Sequence, residues 1–431
     1  MRPDLLLARA RRDVPPVVLR NTLLLGTAQA LAGMGIQMVP TLSSLMVVRL
    51  LGSAGLAGLG VSILAAGRLM VAYPLGRVMD LYGRRVGLAL GLAQGVGGAV
   101  LIALAMAWGS FPLFVLGMFL FGLGVGTTQQ LRVAAADMYP PDRRAQGLGA
   151  VLTATTIGAL GGPALVGLAE GLADRTAGDP LVIAWALVPV VVVPALLLVL
   201  WLRPDPRDIA ADLGRYYPDL PPLQREEEAD GGGLAAVLRS GECWTAFLCS
   251  AAAWGVMNMV MAMSPLVLEH HGHSLPAISV AVSLHAVGMF GLSLPLGRLA
   301  DVLGRRPVLL AGMLMLLVGA VTVAVTGHYL SITAGLFLVG LGWSAATVAA
   351  TALLADATVP TARAQAVGIN DALGAVAAIA MSLLGGPISE AWGHAALGSA
   401  SLLAVGLACL PLLALRGRPA PARLPSGETP G

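Results

Sequence analysis

The chain alternates long apolar runs with short segments that contain charges, glycine or proline. A bilayer core about 30 Å thick needs roughly 20 mostly apolar residues for each helical crossing. The pattern therefore predicts an all-α membrane protein with twelve transmembrane helices. These helices, named spans 1 to 12 below, are predicted at 22–46, 54–75, 86–107, 112–137, 146–168, 181–202, 243–267, 276–296, 307–326, 330–355, 365–388 and 394–415.

Composition excludes a soluble protein. Of 431 residues, 57% are hydrophobic and 11% are charged, and the mean hydropathy is +0.82. An ordinary soluble domain has about 25% charged residues. The sequence also contains no nucleotide-binding P-loop, no catalytic triad pattern and no cluster of loop carboxylates. We therefore expect a transporter driven by an ion or substrate gradient rather than an enzyme.

The basic residues predict how the spans are oriented. All 26 are arginine, and the net charge is +3. They concentrate in the N-terminal arm, the even-numbered loops, the 203–239 segment and the C-terminal tail, apart from Arg49, Arg68, Arg132 and Arg175. Because positively charged loops stay on the cytoplasmic side, both termini are expected in the cytoplasm of a bacterium, with the spans in its inner membrane. The positive charge reflects topology, and nucleic acid is not an expected partner.

Two segments of the chain occur twice. Pro74–Arg85, PLGRVMDLYGRR, recurs as Pro295–Arg306, PLGRLADVLGRR, and Ala136–Gly149 shares several residues with Ala355–Gly368. Paired matches at nearly the same spacing predict a duplicated six-helix unit. We expect three parts: an N-terminal bundle over 1–202, a cytoplasmic linker over 203–242, and a C-terminal bundle with a short tail over 243–431.

The repeated segment resembles the loop 2–3 signature of the major facilitator superfamily, G-x-x-x-D-x-x-G-R-R. Its residues are Gly76, Asp80, Gly83, Arg84 and Arg85, and again Gly297, Asp301, Gly304, Arg305 and Arg306. The resemblance covers the whole chain and implies two pseudo-symmetric six-helix bundles that work by alternating access. Glycines permit a tight turn there, while Asp and Arg pair with each other or with helix ends. We expect a gate on the cytoplasmic face, not a substrate site.

Spans 7 and 8 carry the candidate substrate ligands. Met257 and Met261 form an i, i+4 pair, as do His285 and Met289. In an antiparallel hairpin, Met257 would be level with Met289 and Met261 with His285. Thioethers and a neutral imidazole suit Cu(I) better than Mg²⁺, Ca²⁺ or Zn²⁺. Methionine alone often serves only for packing, but an ionisable residue at mid-depth is costly without a partner or cavity, so His285 favours a ligand site.

The same four residues resemble a narrower family, the CcoA-like bacterial copper importers, which carry M-x-x-x-M on span 7 and H-x-x-x-M on span 8. The resemblance implies copper import for cuproenzyme assembly. Copper is then the cargo, no cofactor is permanently bound, and a cytoplasmic copper acceptor is a partner besides the lipid bilayer. Cysteines in that family are associated with passing copper on, and Cys249 lies about 12 Å nearer the cytoplasm than Met257. The alternative for Cys249 is a small buried hydrophobe.

A polar loop between spans 7 and 8 reads Glu269-His270-His271-Gly272-His273. Its imidazoles suit the collection of metal at the mouth of the transporter, and the sequence is equally that of a solvated polar turn. The sequence leaves both interpretations open.

Alternating access requires groups whose charge or pairing changes between states. Besides His285, the ionisable residues predicted inside spans are Arg68, Arg132 and Asp371. Asp371 is expected about 10–12 Å inside span 11, and Arg132 at a similar depth in span 4. We hypothesise that they pair across the halves as the inner gate and that Asp371 takes up a proton. The alternative is that each satisfies only local partners.

Other kinds of transport fit parts of the sequence. A relative in the copper-importer branch is associated with riboflavin transport, for which aromatic and hydrogen-bonding residues are needed: Trp254, Asn258, Trp343 and Gln37 are candidates. In span 5, Gly158-x-x-x-Gly162-Pro163 resembles the antiporter signature of proton-coupled drug exporters, although such spacing also allows close helix packing. A non-transporting sensor on the same fold is a further alternative.

Overall fold

The structure, a computed structural model, describes residues 14–140, 143–218, 233–358 and 360–414. Over these ranges the regular secondary structure is entirely helical. Among the described residues, eleven helices are long and apolar enough to cross a membrane, and a bent pair of helices makes up to twelve if it counts as one crossing. The predicted fold class, an all-α membrane protein, is confirmed.

The spans mostly extend beyond the predicted apolar windows, because a helix can continue into the polar head-group region after its apolar run ends. Span 5, for example, continues through Asp174 and Arg175. The observed helices are Pro16–Ile36 with Met38–Leu51 (span 1), Leu59–Tyr82 (2), Arg84–Trp108 (3), Phe111–Asp137 (4), Arg144–Thr176 (5), Pro180–Leu200 (6), Gly241–His270 (7), Leu275–Phe290 with Ser293–Leu303 (8), Arg305–Val325 (9), Tyr329–Ala357 (10), Pro360–Trp392 (11) and Ala395–Ala414 (12).

Span 8 is not the single helix predicted over 276–296. It breaks after Phe290 and resumes at Ser293, with a bend of 42°. Pro295 has no N–H to donate to the carbonyl of Gly291, and glycine lowers the cost of leaving helical geometry. The Ser293 hydroxyl donates to the Met289 carbonyl at 3.1 Å and to the Phe290 carbonyl at 3.0 Å, so the carbonyls at the break keep partners.

Span 1 is also divided, at Gln37, which the apolar pattern did not predict. Pro40 cannot donate to the Ile36 carbonyl, so the helical hydrogen-bond pattern is interrupted at this point. The Thr41 hydroxyl donates to the Gln37 carbonyl at 2.7 Å. The break places the polar side chain of Gln37 in the middle of span 1.

Two hydrophobic cores organise the molecule. One contains buried residues between Val18 and Tyr217, and the other contains buried residues between Val237 and Leu412. A third, smaller cluster brings Leu45 and Ala57 of the first half together with Met259 and Met263 of the second. The halves therefore have separate cores and share a limited apolar contact.

Two faces of the molecule are distinguished below. The linker side carries the segment 203–218 and the turns at Gly83 and Gly304, whose φ values are +97° and +92°. Only glycine adopts such values without strain, so both repeats require glycine at the start of the following span. The far side is the opposite face, where spans 7 and 8 are joined by residues 271–274 and spans 11 and 12 by Gly393 and His394.

Candidate functional site

Spans 7, 8 and 10 place the predicted ligands. Span 8 packs mainly on span 10 and on span 5 of the other half, and its contact with span 7 is small. Spans 7 and 8 are consecutive and antiparallel, as in a hairpin, but span 10 contacts both of them more extensively than they contact each other. A Cβ on Gly340 of span 10 would lie only 2.2 Å from the His285 carbonyl oxygen. Glycine thus allows the backbones of spans 8 and 10 to touch.

His285 is buried, with 3% of its surface exposed. Its Nδ1 lies 2.8 Å from the Leu336 carbonyl oxygen of span 10. A carbonyl only accepts hydrogen bonds, so Nδ1 carries the proton and Nε2 keeps its lone pair. A backbone carbonyl bonded to one imidazole nitrogen commonly orients the other towards a metal. The same hydrogen bond would also stabilise a buried histidine that binds no metal.

The four methionines of span 7 divide between two faces. Met257 and Met261 are 5% and 6% exposed and belong to the core of the second half, against which Met289 of span 8 packs. Met259 and Met263 belong instead to the cluster shared with the first half. The i, i+4 pairing of Met257 with Met261 on one face is therefore observed.

An aromatic group lies beside these methionines. The rings of Trp254 and Trp343 meet edge to face, with centroids 4.8 Å apart, and Phe290 lies 6.2 Å from Trp343. These rings come from spans 7, 10 and 8, one from each. Because Trp254 is one turn before Met257 and Phe290 follows Met289, the group and the methionines lie at similar depth. The participation of Phe290 was not predicted from the sequence.

Several buried polar atoms near these spans have no hydrogen-bond partner among the described residues. They include Trp343 Nε1 and Thr347 Oγ1, one turn apart on span 10, Asn370 Oδ1 on span 11 and Gln37 Nε2 on span 1. An unpartnered buried polar group costs about 1–3 kcal/mol. A bound solute or water that pairs with them would remove that cost. Asn258 is different, because its Nδ2 donates to the Trp254 carbonyl at 2.8 Å.

Cys249 points towards span 12. It is fully buried, and its thiol donates to the Ala408 carbonyl at 3.3 Å. It also lies close enough to Cys409 for the two thiols to interact. The structure thus pairs two thiols that are far apart in sequence, and places both on the span 7 and span 12 contact rather than with His285.

The three intramembrane charges lie at the interface between the halves. Arg132 interacts electrostatically with Asp371 of the other half and with Arg68 of its own half. No direct ion pair joins any two of these three described residues. Asp371 also interacts with the neighbouring Asn370. The three side chains are close enough that a movement of the halves would change the electrostatic energy between them.

The first gate motif, on the linker side, is held by two carboxylates. Arg84 forms an ion pair with Asp137 at the end of span 4, with Nε 3.2 Å from Oδ2. Asp205 accepts hydrogen bonds from the backbone N–H groups of Arg84 at 3.0 Å and Arg85 at 2.9 Å. A carboxylate at this position satisfies free N–H groups of span 3 and the positive end of its dipole. The Asp205 contact was missed from sequence, although Asp205-Pro206 is a helix-start signal.

The second gate motif repeats one of these pairs and replaces the other. Arg305 pairs with Asp356 at the end of span 10, with Nε 3.0 Å from Oδ2, and also with Asp301. Arg306 pairs with Glu242 at the start of span 7. Gly76 and Gly297 lie inside their helices, where a Cβ would meet open space or a single methyl group. The Asp80 side chain lies outside the part of the chain whose side chains are described.

The halves touch through their far-side portions. Ser283 of span 8 donates to the Ala159 carbonyl of span 5 at 2.8 Å, and Ser62 of span 2 donates to the Ile379 carbonyl of span 11 at 3.4 Å. A Cβ on Gly58 would lie 1.7 Å from the Ser382 carbonyl oxygen. These contacts close the far side.

The glycines of the span 5 motif make packing contacts. A Cβ on Gly158 would lie 2.5 Å from the Ala30 carbonyl oxygen, and one on Gly162 would lie 2.8 Å from Gln37 Cβ. Both contacts are with span 1. Close packing of spans 1 and 5 therefore accounts for these two small residues.

Comparison with known proteins decides the family. The family model of the Major Facilitator Superfamily matches residues 25–259 and again 243–431. The chain belongs to this superfamily. Within it, the chain is 30% identical over 379 residues to the uncharacterised MFS-type transporter YdeG of Bacillus subtilis, covering 86% of this chain and 85% of that one. It is 26% identical over 357 residues to the riboflavin transporter RfnT of Brucella anthropi, covering 82% and 84%.

Solved structures of superfamily transporters share the fold. A bacterial homologue of the lysosomal transporter Spinster, in an inward-facing and unoccupied conformation, gives a TM-score of 0.64 at 16% identity, covering 94% of this chain and 99% of that one. The nucleoside transporter NupG gives 0.63 at 15% identity, covering 93% and 98%. The chain is thus a multi-pass membrane protein and a secondary transporter of this superfamily, not an enzyme.

Proposed function

We propose that the protein imports copper through Met257, Met261, His285 and Met289. The observation that carries the proposal is the hydrogen bond from His285 Nδ1 to the Leu336 carbonyl, which leaves Nε2 free to bind a metal. Three methionines of the same half lie in or against one core, and thioether with imidazole is a ligand set suited to Cu(I). Cys249, towards the linker side, would act after this site.

The arginine distribution supports placing the linker side in the cytoplasm of a bacterium, and bacterial relatives support the inner membrane. The far side then faces the source of copper, and a cytoplasmic acceptor would receive it. Arg68, Arg132 and Asp371 would couple the halves: rocking changes the distance between Arg132 and Asp371, and with it the energy of the charged carboxylate. Asp371 would then take up or release a proton during the cycle.

The test is uptake of radioactive copper by cells that carry the wild type or a variant. Met261→Leu and His285→Ala are expected to lower the initial rate at least about 10-fold, since loss even of groups that only support metal ligands costs about 10–100-fold. Met263→Leu is the matched control, because it faces the cluster shared with the first half. Membrane levels of each variant are measured by immunoblot. Unchanged copper uptake in both ligand variants would refute the site.

A second candidate function is transport of a planar organic solute such as riboflavin. The Trp254, Trp343 and Phe290 group, with the unpartnered Trp343 Nε1, supports it, and so does the similarity to a riboflavin transporter. Aromatic stacking contributes about 0.5–1.5 kcal/mol per pair beyond burial. Riboflavin uptake that is lost in Trp343→Leu and kept in His285→Ala, without any copper uptake, would establish this function instead.

A further inference from the structure

Five of the six histidines of the chain lie on the far side of the second half: His270, His271, His273, His328 and His394. They come from three separate connections, between spans 7 and 8, 9 and 10, and 11 and 12. The loop at 270–273 is visible in the sequence. The connections that carry His328 and His394 are brought near this loop only by the fold.

Two of these imidazoles face each other. The rings of His270 and His394 have centroids 6.1 Å apart and planes inclined by 46°. An imidazole nitrogen binds copper or zinc at about 2.0–2.1 Å, which puts the ring centroid about 3.2 Å from the metal. Two rings that share one ion can therefore have centroids up to about 6.4 Å apart. The observed spacing admits an ion between the rings when the two nitrogens bind it from nearly opposite sides.

The backbone presents these rings at two tight turns. Gly272 and Gly393 have φ values of +77° and +78°, so the chain reverses beside each histidine in a conformation that favours glycine. Ser389 Oγ lies 2.6 Å from His394 Nδ1 and holds that ring in place. Fixed orientation of one imidazole nitrogen by a hydrogen bond is the usual support for metal binding through the other.

His271 is held by contacts of its own. Its Nδ1 lies 2.7 Å from the Val267 carbonyl oxygen, and its Nε2 lies against Gly327, where an added Cβ would be only 2.1 Å away. His271 is therefore not counted among the ligands of this site.

The ligand set is small. Over the described residues, no group of three His, Cys, Asp or Glu side chains is already arranged around one point. Two imidazoles with water at the remaining positions suit Cu²⁺, which has the highest affinity of the divalent first-row metals for nitrogen ligands. His270 is exposed and His394 half-buried, so an ion has access from the far side.

We infer that His270 and His394 form a capture site for a copper ion on the far side of the transporter, next to the closed contact between the halves. The choice of copper over other imidazole-binding metals rests on the proposed function. The site is separate from His285, whose imidazole is buried inside the bundle against Leu336. It would hold Cu²⁺ at the entrance to the pathway, where an external thiol would reduce it to the Cu(I) that suits the His285 site, two thiols giving one disulfide and two protons for every two ions reduced.

The test is electron paramagnetic resonance of the full-length purified protein titrated with CuCl₂ in detergent. The wild type is expected to bind Cu²⁺ with hyperfine structure from two imidazole nitrogens. His270→Gln and His394→Gln are each expected to lose that signal, while His328→Gln, an exposed histidine of a neighbouring connection, keeps it. Thermal unfolding checks that each variant is folded. An unchanged signal in both ligand variants would overturn the inference.

His285→Ala separates this inference from the proposed function. The capture signal is expected to persist in His285→Ala whether or not copper uptake is lost. In uptake assays, His270→Gln and His394→Gln are expected to raise the KM for copper at least about 5-fold with little change in maximal rate. If copper uptake proves absent, the titration with CuCl₂ still tests the two-imidazole site independently.

Discussion

At the scale of single residues, the His285 site depends on a glycine that supplies no ligand itself. Gly340 lets span 10 approach span 8 until the Leu336 carbonyl reaches His285 Nδ1. Helix contacts in membranes are enriched in small residues for the same reason. The imidazole is therefore positioned by backbone packing. Its proton is held on Nδ1 by a backbone carbonyl, not by a side chain.

We predict that Gly340→Ala lowers transport while leaving the protein in the membrane. The added methyl group would lie 2.2 Å from the His285 carbonyl oxygen, so spans 8 and 10 must separate and the imidazole must move. Misplacement by about 1 Å can reduce activity about 100-fold. Uptake assays measure the loss. Gly406→Ala in span 12 is the control, because its Cβ meets nothing within 4 Å; equal activity of the two variants would contradict the prediction.

At the scale of elements, one carboxylate of the linker caps two helix starts in the first half. Asp205 accepts from the backbone N–H of Arg207 at 2.9 Å, as well as from Arg84 and Arg85. It thus serves as N-cap for the short helix Pro206–Ala211 and satisfies N–H groups at the start of span 3. Farther along, burial raises the pKa of Tyr217 to about 12, with a smaller contribution from Tyr139.

We predict that Asp205→Ala destabilises the protein by about 1–3 kcal/mol, since one cap contributes about 0.5–2 kcal/mol and this carboxylate serves two helix starts. The thermal unfolding midpoint in detergent would fall. Asp208→Ala is the control, because Asp208 is exposed and lies in the same short helix. A midpoint lowered equally by both substitutions would show that the linker charge, and not the capping, is responsible.

The two gate motifs show how far the sequence repeat extends into structure. Arg84 with Asp137 and Arg305 with Asp356 occupy equivalent places, and each pair ties the start of one span to the end of the next. The other contacts differ, because Asp205 comes from the linker whereas Glu242 belongs to span 7. The equivalent pairs therefore follow the sequence repeat, although neither Asp137 nor Asp356 was expected as a partner, and the contact made by the linker has no counterpart.

At the scale of the whole molecule, the halves meet through close contacts on the far side. Gly58 and Gly386 allow this contact: a Cβ on Gly386 would lie 2.2 Å from the Gly55 carbonyl oxygen. Alternating access requires these contacts to open as the opposite side closes. The stability of the closed far side therefore sets the balance between the two states.

We predict that Gly58→Ala shifts this balance towards a far side that is open, because its methyl group would lie 1.7 Å from the Ser382 carbonyl oxygen. Spin labels at Arg175→Cys and His328→Cys, one in each half on the far side, would report longer distances by double electron–electron resonance. Gly97→Ala, where a Cβ meets nothing within 4 Å, should leave the distances unchanged. Identical distances in both variants would mean that this contact does not hold the far side closed.

We predict that the linker side faces the cytoplasm. A C-terminal green fluorescent protein should be fluorescent, whereas alkaline phosphatase fused after His328, on the far side, should be active. Arginines concentrated on one side of the membrane are the physical reason. The reverse pattern of reporter activity would show that the linker side faces away from the cytoplasm, which would contradict the proposed orientation of the importer.

Sequence alone determined the number and approximate position of the spans, because burial of about 20 residues in lipid leaves a long apolar run that any reader can find. It also determined the two repeats and placed Met257, Met261, His285 and Met289 at similar depths, since depth follows from position along a helix. It failed at the breaks in spans 1 and 8, where apolarity continues although the helix does not.

Tertiary structure decided the lateral arrangement. It separated spans 7 and 8 by bringing span 10 against both, paired Cys249 with Cys409, and set His270 against His394. Lipid exerts no preference for one neighbouring helix over another, so apolar periodicity carries no information about which spans touch. Leu336 shows most clearly what the sequence could not predict. It contributes only its backbone carbonyl to His285, and because every residue has a carbonyl, no residue type marks this contact.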